Sequence, residues 1–79
     1  MITVYVLRSQ TNGRRYVGIS ANLAQRLIEH QKSGSTVAKQ LGPFALLHTE
    51  EYPNYVQARV REKFLKSGQG REWLDQQFG

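Results

Sequence analysis

The chain contains no cysteine. That absence excludes a disulfide framework and any thiolate metal site, and it fits a reducing compartment. No apolar run approaches the roughly 20 residues that a membrane-spanning helix needs. The first residues, Met1-Ile2-Thr3-Val4-Tyr5-Val6-Leu7, lack the basic start and small-residue cleavage site of a secretory leader. These absences predict a soluble cytoplasmic protein with no membrane partner. Acids are scarce too. Six Asp and Glu face eleven Lys and Arg, a net charge of +5, and the pI is about 10.0. Internal repeats and low-complexity segments are missing, and 79 residues make one domain, 1–79. A small basic domain suggests a polyanionic partner, with nucleic acid first.

What is present begins with two short β-branched and aromatic runs, Thr3 to Leu7 and Arg15 to Ile19, of the kind strands prefer. Asn12-Gly13 between them is a strong turn signal, so the pair reads as an antiparallel hairpin whose register stays open. Asn22 is a good helix cap with Gln25 three residues later. Leu23, Leu27 and Ile28 supply an apolar stripe near helical spacing. Ser33 to Gly42 reads as a loop. Phe44 to Glu50, introduced by Gly42-Pro43, reads as a third strand. Asn54 caps a second helix with Val56, Val60 and Phe64 as its stripe, ending near Ser67-Gly68. Gly70 to Phe78 reads as a last helix whose Trp73, Leu74 and Phe78 close the core. The predicted fold is α+β, a small antiparallel sheet with helices in the order β-β-α-β-α-α.

Five residues stand out for chemistry, each with an ordinary alternative. Glu62 lies beside Arg59, Lys63 and Lys66 on the helical projection. It reads either as a solvated acid paired with Lys66 or as the carboxylate ligand of a hard divalent ion, which takes few protein ligands. Tyr5 and Tyr16 are either packing residues or phenols near a scissile phosphate. A phenol titrates near pH 10 and needs help to act as a base. Arg26 is an exposed helix residue or a planar fork for a phosphate. His30, four residues later, is a cation at a helix end or a proton shuttle.

In this order these residues resemble the GIY-YIG nuclease domain over nearly the full length of the chain. Val4-Tyr5-Val6 stands where that family has its first signature tripeptide, and Tyr16-Val17-Gly18 where it has the second. Asn22-Leu23 leads into Gln25-Arg26-Leu27 with His30 a turn later, as in the family's arginine helix. Ala58 to Glu62, followed by Leu65-Lys66-Ser67, resembles the segment with the metal-binding glutamate. The resemblance implies a three-stranded antiparallel sheet flanked by helices, agreeing with the pattern above.

It also implies a Mg²⁺- or Mn²⁺-dependent endonuclease acting on DNA, with the branched, nicked or damaged structures met in repair as expected substrates. Glu62 would bind one ion that stabilises the leaving oxygen. Tyr16 or Tyr5 would orient or deprotonate water with help from His30, and Arg26 would hold the phosphate. Gly18 would let backbone and nucleic acid approach closely. Arg14, Arg15, Lys32, Lys39, Arg59, Lys63 and Lys66 would form a basic surface for DNA beside the tyrosines. Two departures stand against full activity. No Asn follows Glu62, where many members have one, and position 19 is Ile where some have Lys. They favour the alternative, a catalytically weak nucleic-acid-binding module that keeps the nuclease fold.

Overall fold

The computed structural model describes every residue, 1–79. The hairpin forms where the turn signal sits. β1 (Ile2–Ser9) and β2 (Arg15–Ser20) pair antiparallel. Gly13 takes a φ of 73° at the turn, a conformation glycine adopts at no steric cost. Asn12 Oδ1 accepts from the Arg14 N–H at 2.9 Å. The register sets Tyr5 opposite Gly18 and Leu7 opposite Tyr16. β3 (Phe44–Tyr52) adds antiparallel to the other side of β1, so the sheet order is β2-β1-β3. A bulge opposite Val6 and Leu7 leaves Leu47 as an extra residue on β3.

Alternation along β1 divides the core between the two sheet faces. Ile2, Val4 and Val6 pack with Ala58, Leu65 and Leu74 from α3 (Tyr55–Lys66) and α4 (Gly68–Phe78). Trp73 and Phe78 pack at the margin of this cluster. Tyr5 and Leu7 point the other way. They pack with Val37 and Leu41 of α2 (Thr36–Leu41), and with Leu23 and Leu27 of α1 (Leu23–Gln31). The fold is thus α+β, a three-stranded antiparallel sheet between helices, in the predicted order with one short helix added. No helix is long and apolar enough to cross a membrane.

The predicted caps are in place. Asn22 Oδ1 accepts from the Gln25 N–H at 3.1 Å and Asn54 Oδ1 from the Gln57 N–H at 2.9 Å. Each satisfies one of the amides that a helix start leaves without a partner.

Two expectations need correction. The segment read as a loop, 33–42, contains α2. Ser35 Oγ accepts from the Ala38 N–H at 3.0 Å, and Gly42 ends the helix at φ 63°. Val37 and Leu41, four apart, bury against β1. Six residues are too few for helical propensity to be decisive, and tertiary burial holds the turn. Of the apolar stripe expected on α3, only Phe64 packs against the core. Val56 and Val60 are 75% and 67% exposed, while Ala58, Glu62 and Leu65 face inward. The small Ala58 admits the helix close to the sheet. Gly70 then brings α4 onto α3, where a Cβ would collide with the Phe64 carbonyl. Close backbone approach selects the face with small residues over the face with the larger apolar ones.

Candidate active site

Tyr5 comes from the central strand, Tyr16 from the edge strand and His30 from the last turn of α1. The sheet pleat aims both tyrosines at the α1 face. The Tyr5–Tyr16, Tyr5–His30 and Tyr16–His30 ring centroids lie 6.3, 5.9 and 5.4 Å apart. Tyr5 Oη is 2.8 Å from His30 Nε2. Ser35, the cap of α2, donates to the His30 backbone oxygen at 2.9 Å and fixes the end of α1. Short though it is, α2 therefore has a place in the site.

The surroundings set the protonation of this pair. Tyr5 is only 1% exposed. Burial raises its phenol well above the usual tyrosine range. Tyr16 adds to the shift, the Arg26 charge opposes it, and Glu62 and Glu29 reinforce it. Burial also lowers His30 below the ordinary histidine value, aided by Arg26 and opposed by Glu29. Near neutral pH the phenol keeps its proton and the imidazole is uncharged. Tyr5 then donates to Nε2, which leaves the ring proton on Nδ1.

Arg26 is exposed one turn before His30. With Tyr16, His30, Glu29 and Lys32 it lines a cleft of about 560 Å³. A second concavity of about 500 Å³ lies on the other side of Tyr16. Arg14, Arg15, Lys66 and Arg71 border it. Tyr16 is the residue common to both.

Glu62 belongs to the layer on the opposite sheet face from α1. It comes near because α3 packs against β1 and the edge strand β2, and its charge acts on Tyr5. It is 9% exposed, not the solvated acid of the helical projection. Its oxygens face Lys66 Nζ at 3.1 Å and Arg59 Nε at 3.6 Å. It lines neither cleft. No three His, Cys, Asp or Glu side chains gather closely enough to hold a metal ion by themselves. Glu62 is thus the one carboxylate that could hold an ion here, with the rest of the shell left to water and substrate oxygens. That suits a hard ion such as Mg²⁺ or Mn²⁺ that keeps water and phosphate oxygens in its shell. Lys66 and Arg59 are more than half exposed and can turn away from Glu62.

Other expected residues divide. Arg14, Arg15 and Lys66 share one concavity and Lys32 borders the other. Lys39, Arg59 and Lys63 line neither, because α2 and the outer face of α3 direct them elsewhere. The two concavities meet at Tyr16. Gly18 has a different role from the expected one. It is buried, and a Cβ there would lie 2.5 Å from Tyr5 Oη and 2.6 Å from Tyr5 Cζ. The space it leaves is filled by the Tyr5 phenol rather than by nucleic acid. The sequence reading missed Arg71 and Glu29. Arg71 falls in no motif, Glu29 lies within the Arg26–His30 turn, and packing brings both beside Tyr16.

On the α3/α4 face a second polar group closes the core. Glu50 accepts two hydrogen bonds from Arg61, at 2.9 and 3.0 Å, one from Tyr52 at 2.6 Å and one from His48 at 2.7 Å. Arg61 lies over the Trp73 and Phe64 rings at 4.8 and 5.0 Å. The β3 pleat puts residues 48, 50 and 52 on one face, and the carboxylate is fully engaged.

No curated protein matches the sequence. A UPF0213 protein from Bacillus halodurans, solved by NMR in solution, is similar in structure. The TM-score is 0.59 at 28% identity, over all of this chain and 87% of that one. The model of the GIY-YIG catalytic domain matches residues 1–73, which hold both tyrosine strands, the Arg26 helix and Glu62. The chain belongs to the GIY-YIG nuclease family.

Proposed function

We propose that the protein is a Mg²⁺- or Mn²⁺-dependent endonuclease that hydrolyses DNA phosphodiester bonds and selects its target by structure. The 2.8 Å contact between Tyr5 and a buried His30, with Tyr16 packed on both at the wall of the Arg26 cleft, is the observation that carries this reading.

Roles follow from exposure and charge. Arg26, at the cleft, binds the scissile phosphate with its planar fork. It also offsets negative charge as the transition state forms. Tyr16, half-buried on the cleft wall, orients the attacking water. The Tyr5–His30 pair takes up the proton that the water loses. The Tyr5 hydroxyl passes its own proton to Nε2, which is neutral and free to accept it. A phenol raised by burial does not act as a base alone, so the imidazole is needed. Gly18 keeps the pair in register by leaving room for the ring. Glu62 would hold the divalent ion, which when bound supplies Lewis-acid stabilisation of charge at the phosphate.

The test is nicking of supercoiled plasmid in Mn²⁺ and then in EDTA. Cleavage should require the ion. Glu62→Gln should abolish it while DNA binding persists or tightens, since an acid leaves a basic surface. Arg26→Ala should lose cleavage with the fold intact. Equal nicking rates for wild type and Glu62→Gln would overturn the assignment. A second reading, a catalytically weak nucleic-acid-binding module, is favoured by one observation. Both Glu62 oxygens already face cations. It predicts DNA binding with no nicking by the wild type in either ion.

A further inference from the structure

We infer that the concavity between the hairpin and α4 binds an unpaired nucleotide next to the cleavage point, so that the substrate carries a single-stranded segment there. The inference rests on the nuclease reading for its position beside a scissile bond, but not for the binding itself.

The groove has two chemical zones. Arg14, Arg15, Lys66 and Arg71 form a cationic rim, and the half-buried Tyr16 ring gives the groove an aromatic surface, while Leu65 and Leu74 beneath it are buried. A phosphodiester suits the rim, and a base face suits the Tyr16 ring. Duplex DNA can satisfy only the rim, because its bases are stacked and paired inside the helix. Stacking on the ring takes a base outside the duplex stack. Grooves that combine cations with aromatic surface bind single strands in this way. At about 500 Å³, the groove is in the size range of clefts that enclose a small organic group.

Position gives the groove its function. Tyr16 forms a wall of both the groove and the Arg26 cleft. A strand lying in both passes over Tyr16, where the water would be oriented. Lys66 ties the groove to Glu62 through its 3.1 Å contact. The groove also contains its own competitor. Asp75 Oδ1 accepts from Arg15 Nη2 at 2.7 Å, and the same Nη2 donates to the Arg71 carbonyl at 3.4 Å. Asp75 therefore occupies the Arg15 cation until a phosphate takes it.

Binding is measured by fluorescence anisotropy in EDTA, where no cleavage occurs. The probes are dye-labelled oligothymidylate and a blunt duplex of the same length. Wild type should bind the single strand more tightly than the duplex. Arg71→Ala should weaken single-strand binding several-fold and reduce its log–log salt slope by about 0.7, the value for one lost single-strand phosphate contact. Duplex binding should change less. Asp75→Asn should tighten single-strand binding by releasing Arg15, and a gain of affinity cannot come from misfolding. The inference is overturned if wild type binds the single strand no better than the duplex or not at all. It is equally overturned if neither variant changes single-strand affinity. Plasmid nicking on the same preparations separates the two readings. Nicking with an Arg71-independent affinity removes the groove and leaves the nuclease. An Arg71-dependent affinity without nicking does the reverse.

Discussion

At the scale of single residues, Tyr5 is the most constrained side chain of the site. Its hydroxyl has His30 Nε2 as its partner, and its ring fills the space beside Gly18. Tyr5→Phe removes the hydrogen bond and leaves a buried imidazole nitrogen unpaired, which costs about 1–3 kcal/mol. Cleavage should fall by about 100-fold or more if the pair takes up the proton. Urea unfolding and single-turnover nicking measure the two effects separately, and unchanged nicking would remove Tyr5 from the chemistry. Gly18→Ala should destabilise by about 1–3 kcal/mol through overpacking. Tyr5→Phe should not rescue it, since the ring carbon Cζ is also only 2.6 Å from the new methyl position. Rescue would mean that the hydroxyl alone is in the way.

Among the elements, α3 matters most, because its rotation decides where Glu62 goes. The rotation depends on close approach at two small residues, Ala58 against the sheet and Gly70 between α3 and α4. Gly70→Ala puts a methyl into the α3 backbone at Phe64 and Leu65. Glycine-to-alanine substitution near a helix start ordinarily stabilises by a few tenths of a kcal/mol to about 1 kcal/mol. Here it should destabilise by about 2 kcal/mol or more, and chemical denaturation gives the sign directly. A stabilised variant would show that α4 does not set the position of α3. The β3 bulge acts similarly on the other edge. It lets His48, Glu50 and Tyr52 face α3 while Phe44 packs on the α2 side.

For the whole molecule, charge governs both stability and binding. Burial alone would raise the Glu50 carboxyl. Hydrogen bonds from Arg61, His48 and Tyr52 outweigh it and hold the pKa at about 2, against an ordinary 4.5. Glu50 therefore contributes on the order of 3 kcal/mol above about pH 4.5. That contribution disappears as pH falls toward 2, where the folded-state carboxyl also protonates. Urea unfolding from about pH 6 down to about pH 2 should show a steep loss in wild type and a shallower one in Glu50→Gln. Parallel profiles would exclude Glu50 as the cause. The net charge of +5 acts on nucleic acid. If Arg14, Arg15, Lys32 and Lys66 each neutralise a duplex phosphate, log affinity falls with log salt at a slope of about −3.6. A flat dependence would exclude phosphate contacts as the main source of binding.

Local rules in the sequence determined much of this protein. The Asn12-Gly13 turn specified the hairpin, and Asn22 and Asn54 specified two helix starts, since turn and cap chemistry act over a few residues. The two tyrosine strands, the Arg26–His30 helix and the Glu62 segment pointed to the family in the same local way. Tertiary structure decided the rest. The hairpin register placed Gly18 under Tyr5. Burial against β1 made a helix of Thr36–Leu41. Backbone approach at Ala58 and Gly70 turned Glu62 inward and left Val56 and Val60 in solvent, against the order of their hydrophobicity. The Arg71 groove has no sequence signature, because its residues come from a hairpin near one end of the chain and two helices near the other. Helical and strand periodicity reports which residues share a face of one element. Which face is buried, and what stands across from it, depends on how closely the backbones can pack.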